Sequence, residues 1–425
     1  MRSQLRERLG VLAVPGFGRL WLCSTADAWG AFLLPVAVTL ALLESGHGAS
    51  ALGLVLAAKT LGHLLATVPG GIAADHWSRP QMISIACLAR VLSTSLLLFC
   101  ITSGPTWIVA ACVFVVGAGE GILRPSHLAL VGDIVPEPQQ QSAIALTTIA
   151  FRIALVLSPG VATALTLWSG PATVLIVSIV LWLCAAFAVR KLPRHATPEG
   201  DEHVPRHTES VRDKLFGGFR AARAQPWFVA GLLVLTIVLG TTDATQLVLL
   251  PVISTEQFGT ESVYAVALSM FALGALLGGL VMLRWHPSKP GRLAMIGLAF
   301  CAAIPFSLAF SEIAWPIFVA HFVAGVGMEV FNVTWFAAIQ REFATDVRAR
   351  VTSLDFLISY SVSPLSLAVV PLAVAAVGTQ PVLVFMGAAV ILGGLCALAV
   401  PGMSLFRTAT AVSAEKESGS RGGDL

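Results

Sequence analysis

Five carboxylates stand inside apolar runs long enough to cross a membrane: Asp27, Glu120, Asp243, Glu329 and Asp355. An acid at the centre of a bilayer costs about 2.5–3.5 kcal/mol on insertion scales, so each must face a partner or a wetted space. A carboxyl group that is alternately buried and hydrated can take up a proton in one state and give it up in the other. Glu120 and Glu329 lead for that chemistry, followed by Asp27 and then Asp243. The competing reading is an ion-pair or hydrogen-bond anchor between helices. Glu120 lies one turn before Arg124, with His127 following on the same face. Arg152 of the next apolar run falls near the same depth. A Glu120–Arg124 or Glu120–Arg152 pair would hold Glu120 ionised, and Arg124, Arg152 or Lys59 could equally receive an anion. Lys59 otherwise reads as a snorkelling lysine, and His63 and His127 as hydrogen-bonded packing histidines. Trp29 and Trp335, close in sequence to the acids, could line an apolar aromatic pocket with Phe32, Phe331 and Asn332. Asp355 falls towards one end of its run, which suits capping or gating.

The elements that carry these residues follow from hydropathy. Of 425 residues 56% are hydrophobic and 12% charged, with a mean hydropathy of +0.84. Soluble domains carry about 25% charged residues, so water does not solvate most of this surface. A spanning helix needs about 20 apolar residues. Twelve such stretches lie near 20–43, 51–74, 81–103, 106–132, 140–165, 171–190, 227–251, 261–284, 292–311, 314–340, 352–377 and 380–402. With both termini placed in the cytoplasm, none of the 26 Lys and Arg residues falls in an outer loop, whereas Glu44, Glu256, Glu261 and Glu312 do. That is the charge bias expected of a bacterial-type inner-membrane protein. The net charge of +3 reflects these loops and gives no reason to expect nucleic-acid binding.

Seven cysteines are scattered singly through apolar segments without ligand spacing, so neither disulfides nor a metal is expected, and small buried residues are. The first apolar run is too long for a signal peptide and reads as a retained span. There is no HExxH, GxSxG or nucleotide-binding loop, so the chain does not read as an enzyme, an ATP-driven pump or a cofactor protein. A membrane sensor would carry a larger soluble domain than this chain offers. Its domains read as residues 1–190, a polar cytoplasmic linker over 191–225, residues 226–405, and a Gly- and Ser-rich tail over 406–425 expected to be disordered. The two halves repeat. Asp27 precedes Pro35 of an LLPV run by eight residues, and Asp243 precedes Pro251 of another by eight. GGIAADHW from Gly70 is echoed by GGLVMLRW from Gly278, and FVVGAGE from Phe114 by FVAGVGME from Phe322. Phe151 and Phe356 each stand seven residues before Ser-Pro, at Ser158 and Ser363. Repeated six-helix halves around a midplane site are an architecture of secondary transporters.

The run Gly71-Ile-Ala-Ala-Asp75-His-Trp-Ser-Arg79, with Arg124-Pro125 through Asp133-Ile-Val-Pro136, makes the chain resemble the major facilitator superfamily over nearly its whole length. It is most similar to the twelve-helix macrolide and drug exporters, which include siderophore exporters. Gly71, Asp75 and Arg79 fit the loop signature; His76, Pro80 and Gln81 stand where that family usually has basic residues. The resemblance implies an all-α membrane protein of two pseudo-symmetric six-helix bundles, with helices 1, 4, 7 and 10 lining a cavity, and those are the helices of Asp27, Glu120, Asp243 and Glu329. It implies that Asp75 acts as a gate near Arg348 or Arg350, with no counterpart at Leu283 and Arg284. It further implies proton-coupled export of a hydrophobic or amphipathic small molecule, with import or lysophospholipid handling as the alternative. The partners implied are the small molecule, protons and membrane lipids, and the chain is expected to be a monomer.

Overall fold

The computed structural model describes residues 11–76, 78–101, 104–190, 192, 219–282, 284–285 and 287–407. Most of the expected linker and nearly all of the expected disordered tail lie outside the described residues. Twelve helices are long and apolar enough to span a membrane, and among the described residues there is no strand. They are α1 (Phe17–Glu44), α2 (Ala49–His76), α3 (Arg79–Cys100), α4 (Thr106–Ile134), α5 (Glu137–Ser169) and α6 (Pro171–Arg190). Then follow α7 (Pro226–Glu256), α8 (Ser262–Met282), α9 (Pro290–Phe310, interrupted at Cys301 and Ala302), α10 (Trp315–Glu342), α11 (Thr345–Val377) and α12 (Thr379–Leu398). The expected spans therefore all form, several reaching a turn beyond the apolar run because the helix continues past the hydrocarbon-length core.

Local chemistry sets the breaks. Proline opens α3, α7, α9 and α10 within the first turn, where its missing N–H costs nothing. Gly170 and Gly378 join α5 to α6 and α11 to α12 at φ +82° and +91°, a conformation only glycine adopts freely. These two glycines stand 208 residues apart in equivalent places of the repeat.

Packing divides the chain into two compact units, one of Met1–Glu202 with Leu247–Ser269, the other of His203–Gln246 with Met270–Leu425. In the first unit α2 packs along α4 through glycines. A Cβ at Gly62, Gly117 or Gly121 would overlap the carbonyl oxygen of Phe114, Lys59 or His63 respectively. The second unit repeats the seam between α8 and α10: Gly274 lies on the Phe322 carbonyl and Gly325 on that of Phe271. Backbones approach so closely only where small residues line both helices, and in lipid such packing drives helix association.

The second unit also holds an aromatic cluster. Trp227, Phe228, Phe331, Trp335 and Phe406 are fully buried, with Phe228 and Phe331 stacked on Trp335 at 5.1 and 5.3 Å between ring centroids. Gly231 leaves room on α7 for the Trp335 ring. After α12 the chain turns back through Met403–Leu405, and Arg341 Nη2 donates to the carbonyls of Leu405 and Phe406 at 3.1 and 3.2 Å. Large apolar side chains elsewhere remain exposed, among them Leu92, Phe99, Trp168 and Phe385, as a surface solvated by lipid requires. All seven cysteines are free. Four are buried as expected, but Cys184 and Cys396 lie on exposed helix faces, because apolar side chains need no burial where the solvent is lipid.

Candidate functional site

The charged residues inside the first unit are paired. Arg90 of α3, fully buried, donates through Nη1 to Asp27 Oδ1 of α1. Its guanidinium carbon lies 4.1 Å from the ring centroid of Trp182 on α6, a cation–π contact. Gly119 of α4 and Gly30 of α1 make the space, since a Cβ there would meet the Arg90 stem or the Trp182 indole at 2.6 Å. One ion pair thus ties four helices together.

Glu120 Oε2 accepts from Lys59 Nζ at 2.7 Å, joining α4 to α2 beside the glycine seam. Lys59 therefore pairs with Glu120 rather than snorkelling outward as expected. Packing at Gly117 brings the α2 backbone so close that Lys59 reaches Glu120 across the seam, and its side chain is 14% exposed. The cationic or protonatable groups acting on Glu120 among the described residues are Lys59, His63 and Arg90. Arg152 is half-buried on α5 and has interactions of its own. The Arg124 side chain lies outside the described residues.

In the second unit the acids keep other company. Asp243 of α7 accepts at Oδ2 from the Ser363 hydroxyl of α11 at 2.6 Å. Asp355, three turns into α11 rather than at its end, accepts from the Trp335 indole at 3.1 Å and is 2% exposed. A buried hydrogen-bonded anchor replaces the capping or gating role. The same contact corrects Trp335 and Phe331 as pocket-lining residues, for both are sealed inside the aromatic cluster. Glu329 is half-buried against α8, where a Cβ at Gly278 would lie 3.4 Å from its own Cβ. Asn332, one turn on, is also half-buried, as are Trp29 and Phe32 in the first unit. Phe32 packs edge-on against Phe151 at 5.0 Å.

Of the loop signature, Gly71 and Asp75 fall in the last turns of α2 with side chains outside the described residues, so no partner of Asp75 is assigned. Arg79 opens α3 and forms an ion pair with Asp133 near the end of α4. Nothing in the spacing of Arg79 and Asp133 marks them as partners, and the same holds for Arg90 with Asp27 and Ser363 with Asp243. An intramembrane arginine was itself the signal for a nearby acid, but only packing says which one. Among the described residues no cluster of His, Cys, Asp and Glu could hold a metal ion.

Residues 20–366 match the family model of the Major Facilitator Superfamily. The chain is 22% identical over 293 residues to the staphyloferrin A transporter of Staphylococcus aureus (strain NCTC 8325 / PS 47), covering 66% of this chain and 69% of that one. Its fold is similar to crystal structures of the peptide transporter POT in complex with sulfate (TM-score 0.70, 13% identity, 94% of this chain and 99% of that). It is likewise similar to a bacterial homologue of the human lysosomal transporter Spinster (TM-score 0.66, 16% identity, 94% and 96%). The chain therefore belongs to the Major Facilitator Superfamily and is a multi-pass cell-membrane transporter.

Proposed function

We propose that the protein is a proton-coupled secondary transporter that exports a hydrophobic or amphipathic small molecule by alternating access, with both termini in the cytoplasm. The observation that carries this reading is the set of acids inside α1, α4, α7 and α10, which stand in both halves of the repeat despite the cost of placing a charge in a membrane. The similarity to a siderophore transporter supports siderophores among the substrate classes, beside drugs and natural products. Glu329, half-buried beside glycines, and the Lys59–Glu120 pair are groups a polar substrate moiety or a proton can reach. The apolar helix surfaces around them suit the rest of an amphipathic molecule.

The test is substrate-dependent proton flux in proteoliposomes, screened with amphipathic drugs and siderophores. Protons moving against the substrate support the reading. Protons and substrate moving together would make the protein an importer by symport, and transport with no proton movement would remove the coupling.

A further inference from the structure

The intramembrane acids with described partners differ in what those partners are, and the difference bears on which can hold a proton. Protonating Asp27 would strand the fully buried Arg90, and protonating Glu120 would strand Lys59. Breaking such a pair from one side leaves the other charge uncompensated. Asp355 has a neutral partner, but the Trp335 indole only donates and the carboxylate is sealed at 2% exposure. Asp243 differs on each point. Its partner is a hydroxyl, which can donate to a carboxylate or accept from a carboxylic acid, so protonation strands no cation and neither state need lose the hydrogen bond. It is only half-buried, and Ser363 is 2% exposed.

The backbone around Asp243 has its own irregularity. At Gly240, one turn earlier, α7 lies close against α11, where a Cβ would stand 3.1 Å from Val362. That approach fixes the carboxylate on Ser363. Immediately after Asp243, residues Thr245–Leu249 form a π-helical turn. Such turns are rare and gather at functional sites, because moving one along a helix re-aims side chains without unfolding it. Of the elements packed on α7 among the described residues of the second unit, α10 carries Glu329, half-buried against α8, and His321, whose ring bonds the Ile317 carbonyl. The Thr379–Leu398 helix carries only Cys396 among titratable groups. On α11 Tyr360 lies one turn from Ser363, Asp355 lies eight residues away, about 12 Å along the axis, and Arg348 and Arg350 lie further on. Arg292 of α9 stands in the first turn of its helix.

We propose that Asp243 is the acid that carries the coupled proton, with Ser363 exchanging donor and acceptor roles as the proton arrives and leaves, and the π turn as the element this exchange re-aims. A proton from water adds to the carboxylate, Asp243 becomes a neutral carboxylic acid, and the reverse step returns the proton to water. The inference rests on the proton-coupling reading.

Infrared difference spectra of the purified full-length protein between alkaline and acidic pH test it. Among the carbonyl-stretch components of newly protonated carboxyls, one should vanish in Asp243→Asn and persist in D27N, E120Q, E329Q and D355N. Ser363→Ala keeps the carboxylate but removes the donor that favours its ionised form. The pH at which the band appears should then move to more alkaline values by about one unit or more. This variant carries the test if D243N does not fold. Proton flux during substrate transport, measured on the wild type, separates the two levels of argument. Wild-type flux with the band assigned to another acid, or with its midpoint unmoved in S363A, overturns Asp243 and leaves the coupling reading standing. Substrate transport by the wild type with no proton flux removes the coupling reading and this inference with it.

Discussion

Replacing Arg90 by methionine should be among the most damaging single changes in the first unit, and the structure sets its size. The substitution leaves Asp27, 8% exposed, without its cation, and removes the guanidinium stacked 4.1 Å above Trp182. Orphaning a buried charge costs about 3–5 kcal/mol, and the lost cation–π contact adds about 0.5–2 kcal/mol. Methionine keeps most of the stem volume, so little of the loss comes from a cavity. At about 2–4 °C per kcal/mol for a unit of roughly 200 residues, the melting temperature should fall by on the order of 10 °C. Adding Asp27→Asn should recover much of that, because the second change removes the orphaned charge; the coupling between the two sites should reach about 2–3 kcal/mol. Cys23 and Cys87 are fully buried and lie within electrostatic reach of the pair. They report local opening to a thiol-reactive fluorogenic dye in detergent once exposed Cys184 and Cys396 and half-buried Cys100 are replaced by serine. An R90M melting point within a degree or two of wild type, or a double variant no more stable than R90M alone, would refute the ion pair as the tie between these helices.

Three further outcomes are expected. Gly117→Ala and Gly325→Ala force a Cβ onto the carbonyl oxygens of Lys59 and Phe271, so each should cost about 1–3 kcal/mol of overpacking in the same thermal assay. Gly132→Ala, on α4 with nothing within 4 Å of the new Cβ, should be harmless. Trp335→Phe leaves the buried Asp355 without its donor and should lower stability by about 1–3 kcal/mol, with W335F/D355L recovering part of the loss. Glu261, between α7 and α8, has its carboxyl pKa raised by burial first and by Glu44 second. The folded state therefore binds this proton more tightly than the unfolded chain does, and the wild type loses stability as pH rises through the folded pKa. Glu261→Gln should melt higher than wild type at neutral pH, with the advantage disappearing on acidification; an unchanged difference across that range would show that the site does not titrate as described.

The sequence by itself determined the solvent, the number of helices and the repeat. Twelve apolar runs are legible because a bilayer admits few other backbones, and α1 through α12 stand where those runs do. The acids were legible for the same reason: a charge in an apolar run has no innocuous explanation. What sequence could not supply is which charge meets which. Lys59 and Glu120 are 61 positions apart, Asp27 and Arg90 63, Asp243 and Ser363 120. Spans of equal length place many side chains at one depth, so depth alone left Arg124 and Arg152 as apt for Glu120 as Lys59. The decision came from the glycine seam, which brings α2 within side-chain reach of α4, and from Gly30 and Gly119, which admit Trp182 and Arg90. Likewise LLPV follows Asp27 and Asp243 alike, yet one acid meets a buried arginine and the other a serine beside a π turn. The repeat fixes where an acid sits along its helix. Only the neighbours that packing brings to it decide whether it is a strut or a place for a proton.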